Sequence, residues 1–186
     1  MSIEGAPSGW LEDYTHQGSN GVGVLLVHGF TGSPASMRPW AHYLQEKGYS
    51  VSVVQLPGHA GDWRELNRVS WNEWPAKATK ALNELKGKHE KVFIFGLSMG
   101  GATTLNVVEN NEVNGIVLVN PMIHIQGIKI KFGPIIAKLT DKFPSVGDDI
   151  KKPGVTEWGY DVLPTKGVLQ LNALLKDTRA NLSKVK

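Results

Sequence analysis

The chain has 186 residues, 41% of them hydrophobic and 20% charged, with a formal net charge of +3; that is enough apolar material for one globular domain and too much for a disordered chain. It has no cysteine, which excludes disulfides and thiolate metal sites, and no basic cluster interleaved with exposed aromatics, which argues against nucleic acid as a partner. No apolar run approaches the roughly 18 residues of a membrane span, so stable membrane insertion is not expected. Residues 1–20 carry no apolar core of a signal peptide, which makes the cytoplasm the default compartment.

After a loop-like start, Val24-Leu25-Leu26-Val27 is a continuous apolar run that reads as a strand buried on both faces, ending in the loop His28-Gly29-Phe30-Thr31-Gly32-Ser33-Pro34. Met37, Trp40, Ala41 and Leu44 then fall on one helical face, and Gly48 stops that helix. A second buried strand, Val51 to Val54, closes at Leu56-Pro57-Gly58-His59. Ser70 and Glu73 have the spacing of a capping box, and Trp74, Ala78, Leu82 and Leu85 mark the inner face of the helix that follows.

Next comes Val92-Phe93-Ile94-Phe95-Gly96-Leu97-Ser98-Met99-Gly100-Gly101-Ala102, an apolar run that breaks into Gly-x-Ser-x-Gly and resumes at helical spacing. It reads as strand, sharp turn and helix, with the Ser98 hydroxyl lifted clear of the strand end and glycines where side chains would collide. Ser98 is therefore a candidate nucleophile; the alternative is a plain strand-to-helix turn with Ser98 as helix cap. Ile116 to Val119 is a fourth strand, ending at Asn120-Pro121. Four buried strands alternating with amphipathic helices predict an α/β fold, a mostly parallel sheet covered by helices on both faces, with right-handed crossovers. Ligands bind such sheets at the carboxyl ends of the strands, where His28-Gly29-Phe30, Ser98 and Asn120 all lie.

From Pro121 to about Pro164 the pattern changes: Ile123, Ile125, Ile128, Ile130, Phe132, Ile135, Ile136 and Leu139 are interrupted by Gly, Pro and Lys, with six Lys against five Asp and Glu. The expectation is a lid inserted over the strand ends with an apolar underside, or else an ordinary connection of short helices. From Thr165 a helical period resumes through Val168, Leu171 and Leu175 to about Leu182. The expected division is thus 1–120 core, 121–164 lid, and 165–186 a helix returning to the core.

The His28 to Pro34 loop, the Gly96 to Gly101 elbow and Leu56-Pro57-Gly58-His59 together resemble the α/β-hydrolase superfamily, and more narrowly the bacterial monoacylglycerol lipases and small carboxylesterases. The resemblance implies hydrolysis of a carboxylic ester through an acyl-enzyme on Ser98, with the backbone N–H groups of Phe30 and Met99 as oxyanion hole. Through Lys152-Pro153-Gly154-Val155-Thr156-Glu157 it extends into the lid, implying Glu157 and Val146 as substrate-binding positions, the first facing a glycerol head and the second an acyl tunnel. No metal or organic cofactor is implied. The chain departs from the family in one respect: the triad order is Ser, then Asp or Glu, then His, and the last two are expected beyond Lys186, so C-terminal strands are missing from the expected fold. His124 is the one histidine after Ser98, and it would need Asp148 or Asp149 to orient it. A sheet stopping at the fourth strand has an open edge, which a C-terminal fragment or a second copy could complete. The alternative to an ester hydrolase is a catalytically incomplete hydrolase-fold module that binds lipid or a partner.

Overall fold

The computed structural model describes residues 3, 5–125, 133–145 and 150–185. Its centre is a five-stranded sheet of β1 (Tyr14–His16), β2 (Val22–Val27), β3 (Ser50–Val54), β4 (Lys91–Leu97) and β5 (Gly115–Val119), in the spatial order β1-β3-β2-β4-β5. The four strands from β2 to β5 pair in parallel, and β1 runs antiparallel along the outer side of β3. β1 is the strand of this sheet that the sequence reading does not contain. At three residues it is too short to show an alternation, and its place is set by pairing with β3 rather than by its own pattern.

The helices are α1 (Arg38–Glu46), α2 (Trp63–Leu66), α3 (Glu73–Lys86), α4 (Met99–Val108), α5 (Gly133–Leu139) and α6 (Thr165–Asn181). Val24, Leu26, Val51 and Val53 point to the face covered by α1 through Met37 and Ala41. Leu25, Val27, Val54, Val92 and Ile94 point to the opposite face, where Trp74 and Leu82 of α3, Met99 and Ala102 of α4, and Leu171, Leu174 and Leu175 of α6 close over them. Burying each such aliphatic or aromatic side chain is worth about 1.5–3 kcal/mol; burial of successive residues in β2 explains the unbroken apolar run Val24–Val27, while in β3 the same two-sided burial takes in the small polar Ser50 and Ser52 beside the valines.

Gly48 ends α1 at φ +81, as a C-terminal glycine should. The capping box is half made: the Ser70 N–H donates to Glu73 Oε1 at 2.7 Å, but the residue at the helix cap is Asn72. The segment between β5 and α6 contains α5 and a two-stranded ribbon of β6 (Lys142–Pro144) and β7 (Val162–Pro164). Its apolar residues are not all turned inward, since Leu139 is 82% and Ile135 60% exposed. Ile128, Ile130 and Phe132 lie outside the described residues.

The strand order reverses direction between β2 and β4. The chain leaves β2 toward β3 on one side and later leaves β4 toward β5 on the other, so the crevice between their carboxyl ends is the natural ligand site of this sheet. Among the described residues no strand pairs with the outer side of β5, where Val117 is 40% exposed. None of the described helices is long and apolar enough to cross a membrane.

Candidate active site

Ser98 sits between β4 and α4 with φ 55 and ψ −115, a backbone conformation that L residues rarely adopt. Such strain persists only where surrounding bonds over-determine it, and four do so here. The Ser98 N–H donates to the Val119 carbonyl at 3.0 Å, while its own carbonyl accepts from Gly101 (3.0 Å), Ala102 (3.4 Å) and Met122 (3.0 Å). The flanking glycines permit the turn. A Cβ on Gly96 would stand 2.4 Å from the Gly100 carbonyl oxygen, and one on Gly100 would stand 2.1 Å from that of Val27.

Met99 is the first residue of α4 and its side chain is fully buried. Its N–H has no acceptor within the helix and belongs to the positive end of the helix dipole. The second candidate donor lies across the crevice, in the loop after β2. There the Phe30 ring is wedged edge-on against His59 (6.0 Å) and Trp74 (6.2 Å), which anchors the loop from below. Gly32 N–H donates to the Gly29 carbonyl at 3.2 Å, and Thr31 takes φ 60, so the loop is a tight turn. Gly29 lies against the serine, where a Cβ would come within 3.4 Å of Ser98 Cβ.

His28 is wholly buried beneath this loop. Its Nδ1 bonds the Gly29 carbonyl at 2.9 Å while the Leu56 N–H donates to Nε2 at 3.2 Å, which fixes the neutral Nδ1–H tautomer. Burial pushes its pKa down to about 4. His59, 5.0 Å away ring to ring, is depressed as well, by burial first and the neighbouring His28 second. Both imidazoles are therefore neutral braces of the loop. Neither lines the cleft beside Ser98.

A cleft of about 770 Å³ opens over the serine. Ser98, Phe30 and Glu157 all line it, so three of the sequence-predicted site residues meet in one place. Met99 lies directly beneath as the helix opener, and Val146 falls outside the described residues, as do Asp148 and Asp149. His124 is exposed and is not among the lining residues. Among the described residues no histidine lines the cleft, and no group of acids and histidines could hold a metal ion.

Sequence reasoning missed the far wall. Trp158 carries φ 46, unusual for a bulky residue, and its carbonyl accepts from Ser33 Oγ at 2.7 Å. Tyr160 N–H donates to the Thr31 carbonyl at 2.8 Å, and Tyr160 OH donates to the Gly58 carbonyl at 2.9 Å. The return toward α6 is thereby strapped onto the glycine-rich loop. The only local hint was the Trp-Gly-Tyr run at 158–160, which has no periodicity to read.

A family model described as serine aminopeptidase, S33 matches residues 20–154. The thermostable monoacylglycerol lipase of Bacillus sp. (strain H-257) is 38% identical over 167 residues, 88% of this chain and 66% of that one. A carboxylesterase of Bacillus subtilis (strain 168) is 27% identical over 165 residues, 87% of this chain and 66% of its own length. The chain thus spans just under two thirds of the length of these curated relatives. Among solved structures, one from work on LipS and LipT, two metagenome-derived lipolytic enzymes, superposes with a TM-score of 0.89 at 30% identity, covering 96% of this chain and 73% of that one. A monoacylglycerol lipase of Paleococcus ferrophilus superposes at 0.73 with 18% identity over 95% of this chain and 74% of its own, a likeness of fold.

Proposed function

Because the chain belongs to the serine aminopeptidase S33 family of α/β-hydrolases, we propose that it is the nucleophile-bearing part of a carboxylic ester hydrolase acting on monoacylglycerols or short-to-medium acyl esters. The observation that carries this reading is Ser98 itself: strained, held by four backbone hydrogen bonds, and open to a cleft with the first turn of α4 beneath it. The substrate class is supported by the relatives, a monoacylglycerol lipase and a carboxylesterase.

In the proposed reaction Ser98 Oγ bonds to the ester carbonyl carbon while its proton passes to a general base. The carbonyl oxygen becomes an oxyanion held by the Phe30 and Met99 N–H groups, a contribution of roughly 3–4 kcal/mol per donor in comparable enzymes. Collapse expels the alcohol, which takes the proton, and water then releases the acyl group by the same steps. We take the base to be a histidine with an acid partner beyond Lys186, as the triad order of the resembled family implies; no described histidine lines the cleft. We assign 1–120 to the core, 121–164 to a lid bearing Glu157 and Val146 toward the substrate, and 165–186 to the returning helix. The open side of β5 is where a completing segment, or a second copy, would pair.

The test is p-nitrophenyl butyrate turnover and fluorophosphonate labelling, with the intact mass of the same sample recorded. Turnover that Ser98→Ala abolishes, in material containing a completing segment, supports the reading. Turnover that survives Ser98→Ala sinks it. A completed chain that neither turns over ester nor takes the probe would instead be a binding module.

A further inference from the structure

The amino-terminal segment reaches the cleft. Ile3 lines it together with Ser98, and the same side chain packs against the main core cluster. The apolar part of the lining is assembled from separate stretches: Ile3, Phe30, Pro39 of α1, Leu97 of β4, and Ile150, Val155 and Trp158. The polar groups of the lining include Asn120, Thr156, Glu157 and Asp161. An acyl chain needs a continuous apolar wall, and here a piece of that wall comes from a residue far from the serine in sequence.

Residues 9–16 of this segment are fixed in place. β1 pairs with β3, the Asp13 carboxylate accepts the Gln55 N–H at 2.6 Å, and the Tyr14 ring carries the Arg38 guanidinium 4.0 Å above it. Arg38 is itself buried and donates to the Gly9 carbonyl. Trp10 then packs edge-on against two rings, His42 of α1 at 5.5 Å and Trp158 at 5.5 Å. Trp158 is the strained residue whose carbonyl is tied to Ser33. One aromatic contact therefore joins the amino-terminal segment, the return strap and the glycine-rich loop, at the rim of the cleft.

We propose that the amino-terminal segment is a wall of the acyl site: Ile3 is a specificity-determining residue for long acyl chains, and the Trp10–Trp158 contact is the latch that holds it there. This rests on the ester-hydrolase reading for the nature of the substrate, and its test is chosen to be independent of turnover. Binding of 11-(dansylamino)undecanoic acid and of its short-chain counterpart, 4-(dansylamino)butyric acid, is followed by dansyl fluorescence on the full chain.

The wild-type protein should bind the long probe more tightly. Ile3→Ala should lower the long-to-short affinity ratio about five- to tenfold, the worth of the methyl and methylene contacts removed. Trp10→Ala, which leaves Ile3 in the sequence but removes its latch, should move the ratio the same way. Wild-type binding that ignores chain length overturns the proposal, as does an Ile3→Ala protein whose ratio matches wild type. Failure of ester turnover alone would count against the catalytic reading and leave this result standing.

Discussion

Gly100→Ala sets two effects of opposite sign against each other. Gly100 lies in α4, where alanine is intrinsically better by about 1 kcal/mol. Its Cβ, however, would stand 2.1 Å from the Val27 carbonyl oxygen and 2.6 Å from that of His28. Both atoms are backbone at the end of β2, which is paired on both sides, so neither can swing away. Reaching even a 3.0 Å contact requires α4 and β2 to separate by about 0.9 Å, given the present 2.1 Å. Overpacking of this kind costs about 3 kcal/mol at the upper end of its usual range, so the clash outweighs the propensity gain by about 2 kcal/mol.

For a domain of this size that lowers the melting temperature by about 4–8 °C. The same displacement moves Ser98 away from the Phe30 loop, and a misplacement near 1 Å can cost about a hundredfold in rate. Thermal unfolding followed by circular dichroism, with fluorophosphonate labelling rates on the same proteins, measures both consequences. Gly87→Ala is the control: it lies at the end of α3 with φ −68 and nothing closer than 3.5 Å. It should stabilise by about 0.4–1 kcal/mol. A Gly100→Ala protein that melts at or above wild type and labels at the wild-type rate would refute the packing argument.

The remaining predictions are read from other parts of the same site. His28 is held at about 4 in the folded protein against 6.5 unfolded, so its contribution is intact above pH 6.5 and lost as pH falls toward 4, by about 3 kcal/mol in all. His59 works in the same direction, and urea midpoints between pH 7 and 4.5 should show His28→Gln with a shallower pH slope than wild type; an equal slope contradicts the assignment. Ser98→Gly relieves the φ 55 backbone and should raise the melting temperature by about 2–4 °C, for about 1 kcal/mol of strain released, while abolishing labelling. Tyr160→Phe removes the hydrogen bond to the Gly58 carbonyl and should cost about 1 kcal/mol, seen in chemical denaturation. Burial raises the Tyr160 pKa to about 12 against about 10 unfolded, so that difference should hold from pH 7 to about 9 and shrink above it as the unfolded phenol ionises.

What was legible in the sequence was legible for local reasons. The unbroken apolar run of β2 and the valines of β3 follow from burial on both faces, and Trp74, Ala78, Leu82 and Leu85 fall on one side of α3 because that side meets the sheet. The Gly96-x-Ser98-x-Gly100 spacing announces its turn because side chains at the glycines would overlap backbone. The burial of His59 under Phe30 and Trp74, and the packing of His42 between Trp10 and Tyr14, come from partners far along the chain. The half-made capping box at Ser70 is the reverse case, a correct local pattern in which the chain uses one of two possible bonds.

The sequence by itself determined the alternation of strands and helices and the sharp turn at Ser98, because each depends on spacing within a few residues; Phe30 as a candidate donor is what the family resemblance implies. Only the tertiary structure decided that β2 and β4 lie side by side, so that the two loops after them face one crevice. It alone decided that Ile3 and Trp158 line that crevice and that Trp10 packs against Trp158. Periodicity records which face of an element is buried. It does not record what buries it, since that contact free energy belongs to pairs of residues whose separation along the chain the pattern cannot encode.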